Sequence, residues 1–287
     1  MKKSILIFIG VLFGIYLLVS IIDFKSEYNA EVYLFKANKL LSQILQGPES
    51  VPTRFFERTV NAYKKVIAKF PNSASAKRAV LSVGQVYIIN NKFEQARQEL
   101  RQYEIAYKDN KDMLSDIQFL IGNAYEKEGK WNTAQGIYNS VLEKYPESLI
   151  AMQIPIYIGR YFLKNGKTED ASLAYQQAAV YYQKMARQNP DSEKGYMALS
   201  SVVTCYVDQK LWSEAIDSLT NLVNEYPKSR ELPKLFQIIN LLCLEQLKNP
   251  QKAIAIYEEF IQKHPKNYMV KTLKATIEKL EKVEVKK

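Results

Sequence analysis

A step of twelve residues from a small side chain to a proline recurs along this chain. It joins Ala134 to Pro146, Ala215 to Pro227 and Ala253 to Pro265, and Thr59 to Pro71 repeats it with threonine in the alanine place. Adding Ala96 and Ala171 gives markers at 96, 134, 171, 215 and 253, separated by 38, 37, 44 and 38 residues. Self-similarity at a period of this size signals stacked units, none of which can bury its apolar face alone. It constrains the fold more than any local preference does.

A second pattern precedes each marker. Gly84 and Tyr87 lie before Ala96, Gly122 and Tyr125 before Ala134, and Gly159 and Phe162 before Ala171. Val203 and Tyr206, then Leu241 and Leu244, hold the same places before Ala215 and Ala253. Each unit therefore reads as helix, turn, helix, with the turns at "NNKF", "EGKW", "NGKT", "QKLW" and "KNPQ", residues suited to ending one helix and starting another. Two antiparallel helices need small residues where their axes approach. Gly at the first site and Ala at the second provide them, and Tyr or Phe fills the wider gaps, which accounts for much of the count of 20 tyrosines. Proline lacks an N–H and disfavours helix in the residue before it, so it closes the second helix. Ser73, Ser148, Ser192, Ser229 and Asn267 follow two residues after a proline and are placed to cap the next helix.

The step of 44 predicts a second helix about two turns longer than its counterparts, over Glu169 to Gln188. The first unit is irregular: "AEVYLFKANKLLSQIL" has helical spacing, but "QGPESVP" is a longer loop than the other turns. After Pro265, "YMVKTLKATIEKLEKV" predicts the terminal capping helix that a solenoid needs, and "EVKK" should fray.

The small–aromatic–Ala–aromatic–Pro skeleton across residues 54 to 265 resembles the tetratricopeptide repeat (TPR) family. The stretch "FPNSASAKRAVLSVGQVYIINNKFEQA" is similar to bacterial envelope members of it: the outer-membrane assembly lipoprotein type, the cell-division coordinator type, and inner-membrane-anchored proteins near the secretion channel. The fold class expected is all-α, an α-α superhelix (TPR solenoid) with an N-terminal transmembrane helix. Residues 1–24 are assigned to the signal-anchor, 25–266 to about six helix pairs, and 267–287 to the capping helix and tail.

The anchor rests on "MKKSILIFIGVLFGIYLLVSIIDFK". Ser4 to Ile22 carries no charge, and a helix of that length covers about 28 Å against a hydrocarbon core of roughly 30 Å. A cleaved signal peptide, leaving a soluble periplasmic protein, is the alternative, but Leu18-Val19-Ser20 is a poor cleavage site. A lipoprotein signal would need a cysteine just after the apolar run, and the first cysteine is Cys205. Lys2 and Lys3 precede the span with no acid, so the amino terminus should stay in the cytoplasm. The expected location is the bacterial inner membrane, single-pass, with the C-terminal domain in the periplasm.

Several functions are set aside by residue type. The formal charge is +10, but the basic residues are interleaved with glutamates as on solvated helix faces, and no nucleic-acid stripe is visible. One histidine, His264, and two cysteines, Cys205 and Cys243, supply no metal-ligand spacing and no nucleophile pair. His264 sits beside Pro265 in a turn and should be exposed. The two cysteines hold equivalent places in adjacent units, where neighbouring helices lie about 8–10 Å apart, too far for a disulfide, so both should be buried thiols. Gly166-Lys167-Thr168 matches only the tail of a phosphate loop, and Tyr161 stands where its first glycine is required. Trp131 and Trp212 hold the same point of their turns and should be packing residues. No catalytic residue, cofactor, metal or small-molecule substrate is expected.

In the family that the chain resembles, first helices line the concave surface. The resemblance places Arg78, Gln85, Asn123, Lys127, Tyr157, Arg160, Lys164 and Thr204 on that groove. The function implied is a non-catalytic scaffold or adaptor that binds a protein or peptide within an envelope assembly, secretion or division complex. The alternative is a chaperone-like holder of unfolded envelope clients.

Overall fold

The computed structural model describes residues 26–46 and 53–284. The expected span at Ser4 to Ile22, most of the "QGPESVP" loop and the last three residues lie outside the described residues. Among the described residues the chain is helical throughout. The helices are α1 (26–46), α2 (Thr53–Lys69), α3 (Ala74–Ile89), α4 (Phe93–Ala106), α5 (Lys111–Lys127), α6 (Trp131–Lys144) and α7 (Leu149–Lys164). They continue with α8 (Thr168–Gln188), α9 (Glu193–Asp208), α10 (Trp212–Glu225), α11 (Leu232–Leu241), α12 (Pro250–Lys263) and α13 (Val270–Glu284). No helix among them is long and apolar enough to cross a membrane.

The chain divides into two compact units, one ending at Ala151 and the other beginning at Met152, inside α7. Pro155 lies in that helix. It has no N–H to offer the carbonyl four residues back, at Ala151. In the first unit, one core joins Leu34, Phe56, Tyr63 and Val83 from α1, α2 and α3, and another joins Val80, Leu100, Ile117 and Ile121 from α3, α4 and α5. In the second, Ile156, Tyr175, Tyr182 and Val202 unite α7, α8 and α9, and a larger core runs from α9 to α13. Each core needs the next hairpin, as expected of stacked repeats.

The turns repeat in backbone detail. Asn91, Gly129, Gly166, Lys210 and Lys248 all adopt left-handed φ angles, between 53° and 83°. In the first four, the next residue's N–H reaches back to the carbonyl of Tyr87, Tyr125, Phe162 or Tyr206, at 2.9–3.0 Å. This closes a Schellman cap. A left-handed residue with a β-carbon is disfavoured by roughly 1–2 kcal/mol, offset in part by the greater freedom of glycine in the unfolded chain. Lys210→Gly and Lys248→Gly are each expected to stabilise the fold by up to about 1 kcal/mol, read as a shift of the urea midpoint at unchanged m-value.

The glycines act as their spacing predicts. A β-carbon on Gly84, Gly122 or Gly159 would fall 2.8, 2.5 or 2.8 Å from Leu100, Tyr138 or Tyr175, each four residues after its marker alanine. The long second helix is present: α8 has 21 residues, against 14 in α4, α6, α10 and α12.

Three local expectations need correction. Leu241, assigned to the small-residue slot, is 54% exposed. Ile239, Leu242 and Cys243 are buried instead, so α11 runs one residue ahead of the assumed register. The extra residue is absorbed in a π-helical turn, Leu242–Gln246. The residue facing the second helix is Asn240, whose Oδ1 accepts from the Tyr257 hydroxyl at 3.3 Å. Ser73 and Ser192 cap their helices, and Ser148 bonds the Ala151 N–H, but Ser229 and Asn267 only start turns, bonding Glu231 and Met269 N–H. Before α11, Pro233 sets the start, because proline fits the first helical turn, whose N–H groups have no helical acceptor. His264 is half-buried against Phe260, ring centroids 4.7 Å apart, rather than exposed.

Candidate protein-binding faces

In the first unit, α3 packs on both α4 and α5. The apolar sides of α3 and α5, including Val80, Val83, Ile117 and Ile121, are turned into the core. Arg78, Gln85 and Lys127 are exposed and Asn123 is half-buried. Arg78 is engaged within the chain: its guanidinium donates to Glu31 of α1 and, at 3.2 Å, to Ser75 Oγ. The Ser75 hydroxyl and the Arg78 guanidinium hold the Glu31 carboxyl below the usual range.

In the second unit, Arg160 and Lys164 of α7 are exposed, and Tyr157 of α7 and Thr204 of α9 are half-buried. Arg160 is engaged within the chain. Its Nε donates to Asp208 Oδ2 at 2.7 Å, and the Tyr175 hydroxyl donates to the same oxygen at 3.0 Å. The contact ties α7 and α8 to α9. Asp208 keeps Arg160 charged, and burial pushes the Tyr175 phenol well above its usual pKa. Thr204 donates to the Ser200 carbonyl at 3.1 Å. The eight residues thus form two sets, one in each unit. The sequence reading missed Asp208 and Glu31, the acids that engage its two arginines.

Both cysteines of the chain lie in the second unit. Cys205 and Cys243 are free thiols in the core, pushed by burial up to about 12 and about 11. Alkylation of the native protein at pH 8 should therefore run at least about 100-fold slower than in denaturant, measured by mass shift. The linkage sign follows from pKa values raised on folding. The thiols' contribution to stability is whole below the unfolded value near 9 and is lost as pH rises towards 11–12. Among the described residues no group of three or more His, Cys, Asp or Glu could hold a metal ion. Gly166-Lys167-Thr168 forms the turn between α7 and α8 rather than a phosphate loop. Trp131 packs its edge on Tyr138, and Trp212 packs on the α9–α13 core.

Successive helical hairpins that share their cores, with a glycine-to-aromatic contact inside each of the central hairpins, define an α-helical repeat protein. The tetratricopeptide repeat family model matches residues 116–148, 203–229 and 242–267, and the chain carries tetratricopeptide repeats. Such repeats generally mediate protein–protein interactions, and the scaffold is typically non-catalytic.

Among solved structures, the chain is similar to the TPR2AB domain of yeast Sti1 in its complex with pHSP90, at 13% identity and a TM-score of 0.35, covering 88% of this chain and 99% of that one. It is also similar to the APC/C hetero-tetramer Cut9–Hcn1, at 13% identity and TM-score 0.28, covering 78% of this chain and 52% of that one. The human IFIT1 dimer with m7Gppp-AAAA matches at 15% identity and TM-score 0.31, covering 90% of this chain and 64% of that one.

Proposed function

We propose that this chain is a non-catalytic adaptor that binds a protein or extended peptide on its first-helix faces. The supporting observation is the division of labour on α3 and α5. Their apolar sides are spent on the hairpin core, while Gln85 of α3 and Lys127 of α5 stand in solvent and Asn123, the counterpart of Gln85 one residue after its repeat glycine, is half-buried. Amide and ammonium groups so placed suit the carbonyls and carboxylates of an extended segment. The arginines Arg78 and Arg160 serve the scaffold as well, so the test belongs on the other residues.

The charge-free run from Ser4 to Ile22 supports a membrane-anchored protein with its repeats in the bacterial periplasm, working in an envelope assembly, secretion or division complex. Crosslinking in membranes followed by pull-down should recover one defined protein partner, lost on Gln85→Glu/Lys127→Glu. Recovery indifferent to that change would reject the first-helix face, and recovery of many unrelated clients would favour a holder of unfolded proteins. A reporter fused after Lys287 should be active outside the cytoplasm, and activity inside would reverse the topology.

A further inference from the structure

The two extra turns of α8 have no counterpart in the other repeats, and they build a feature of their own. Beside them lies a cleft of about 560 Å³, wholly within the second unit. Leu199, Val202 and Tyr206 of α9 form an apolar floor. One wall is the added end of α8, with Ala186 and Arg187, and the other is α10. The α10 wall presents Glu214, Asp217 and Glu225, spaced three and eight residues apart and so along one side of the helix. In a chain of formal charge +10, this wall sets three carboxylates against one guanidinium. Lys252 engages Asp217 at 3.0 Å, while Glu214 and Glu225 are exposed.

We infer that this cleft is a second docking site, separate from the first-helix faces, for a protein segment carrying an apolar side chain within a turn of a lysine or arginine. The floor has room for several apolar atoms, and the acidic wall selects a basic neighbour through charge complementarity. Thr204, on the first-helix face, points away from the floor, because two residues along α9 from Val202 is a rotation of about 200°. The two sites can therefore be mutated independently.

The probe is a phage-displayed library of random twelve-residue peptides, selected against the full chain. Enriched peptides should pair an apolar residue with Lys or Arg. They should bind at least tenfold more weakly to Glu214→Lys/Glu225→Lys and to Ala186→Trp, and lose affinity as salt is raised. The charge variant changes only exposed positions, and circular dichroism checks that both variants keep their helix content. Absence of enrichment, enriched peptides without basic residues, or binding that survives the charge variant and is lost on Lys127→Glu would each overturn the assignment.

Discussion

Replacing Gly195 with alanine is expected to destabilise the second unit by about 3 kcal/mol or more, a loss of roughly 10 °C in thermal melting followed by circular dichroism. The β-carbon would fall 2.1 Å from the Asn189 carbonyl oxygen and 2.4 Å from the Tyr226 hydroxyl. The first of these atoms is backbone, so it cannot swing aside as a side chain can. Gly195 lies in the first turn of α9, where its N–H is bonded by Ser192 Oγ at 3.0 Å, so the turn is pinned as well. Tyr226→Phe removes one of the two collisions, and the double variant should recover only part of the loss. The same substitution at Gly136 has the opposite expected sign. That residue sits inside α6 with nothing within 4 Å of the new carbon, and alanine there should stabilise by about 0.5–1 kcal/mol. A fall at Gly136, or no fall at Gly195, would contradict the packing described.

The second large effect is expected at Arg97. Its side chain is 2% exposed, lies 4.1 Å above the Tyr125 ring, and donates to Glu94 of α4 and to Glu128 after α5, the latter at 2.6 Å. Removing one member of a buried charge pair costs about 3–5 kcal/mol when the other is stranded. Here the two glutamates are 61% and 27% exposed and regain water, so Arg97→Ala should cost nearer 2–3 kcal/mol in urea unfolding. Isoleucine should cost less than alanine. The residue after the marker alanine is Ile216 in one later repeat and Ile254 in another, both buried, so the fold accepts that side chain there.

Acid dependence gives an independent readout. Hydrogen bonds from Arg97 hold the Glu94 carboxyl below its usual range, and those from Lys130 and Arg97 do the same for Glu128. Groups lowered on folding contribute fully above the unfolded value near 4.5 and lose that contribution as pH falls through the folded one. Arg97→Ala should flatten this acid loss relative to the parent, and an unchanged slope below pH 5 would refute the pairing.

What could be read from the chain, and what could not, separates along physical lines. Turns were legible because left-handed backbone and helix closure demand particular residues, as at Gly129, Gly166 and Pro146. The length of α8 was legible because a changed step between Ala171 and Ala215 has nowhere else to go. The register of α11 was not, because "IINLLCLEQL" offers apolar residues at every candidate phase and a slip of one leaves no trace in it. Nor could the sequence show that Arg160 meets Asp208, 48 residues on, since that contact depends on how consecutive hairpins stack. Gly195 gave a weak signal, a glycine inside a helical pattern, but its neighbours Asn189 and Tyr226 come from two other segments.

The added stretch in α8 also bears on how such a chain can change. Seven residues advance a helix by 1.94 turns, so the buried stripe through Ala171, Ala178 and Met185 keeps its bearing. Lengthening by whole heptads leaves the interior untouched and alters only how far one rod overhangs its neighbours. An array of this kind can therefore acquire a new ledge in a single insertion, at one position, without any compensating change elsewhere.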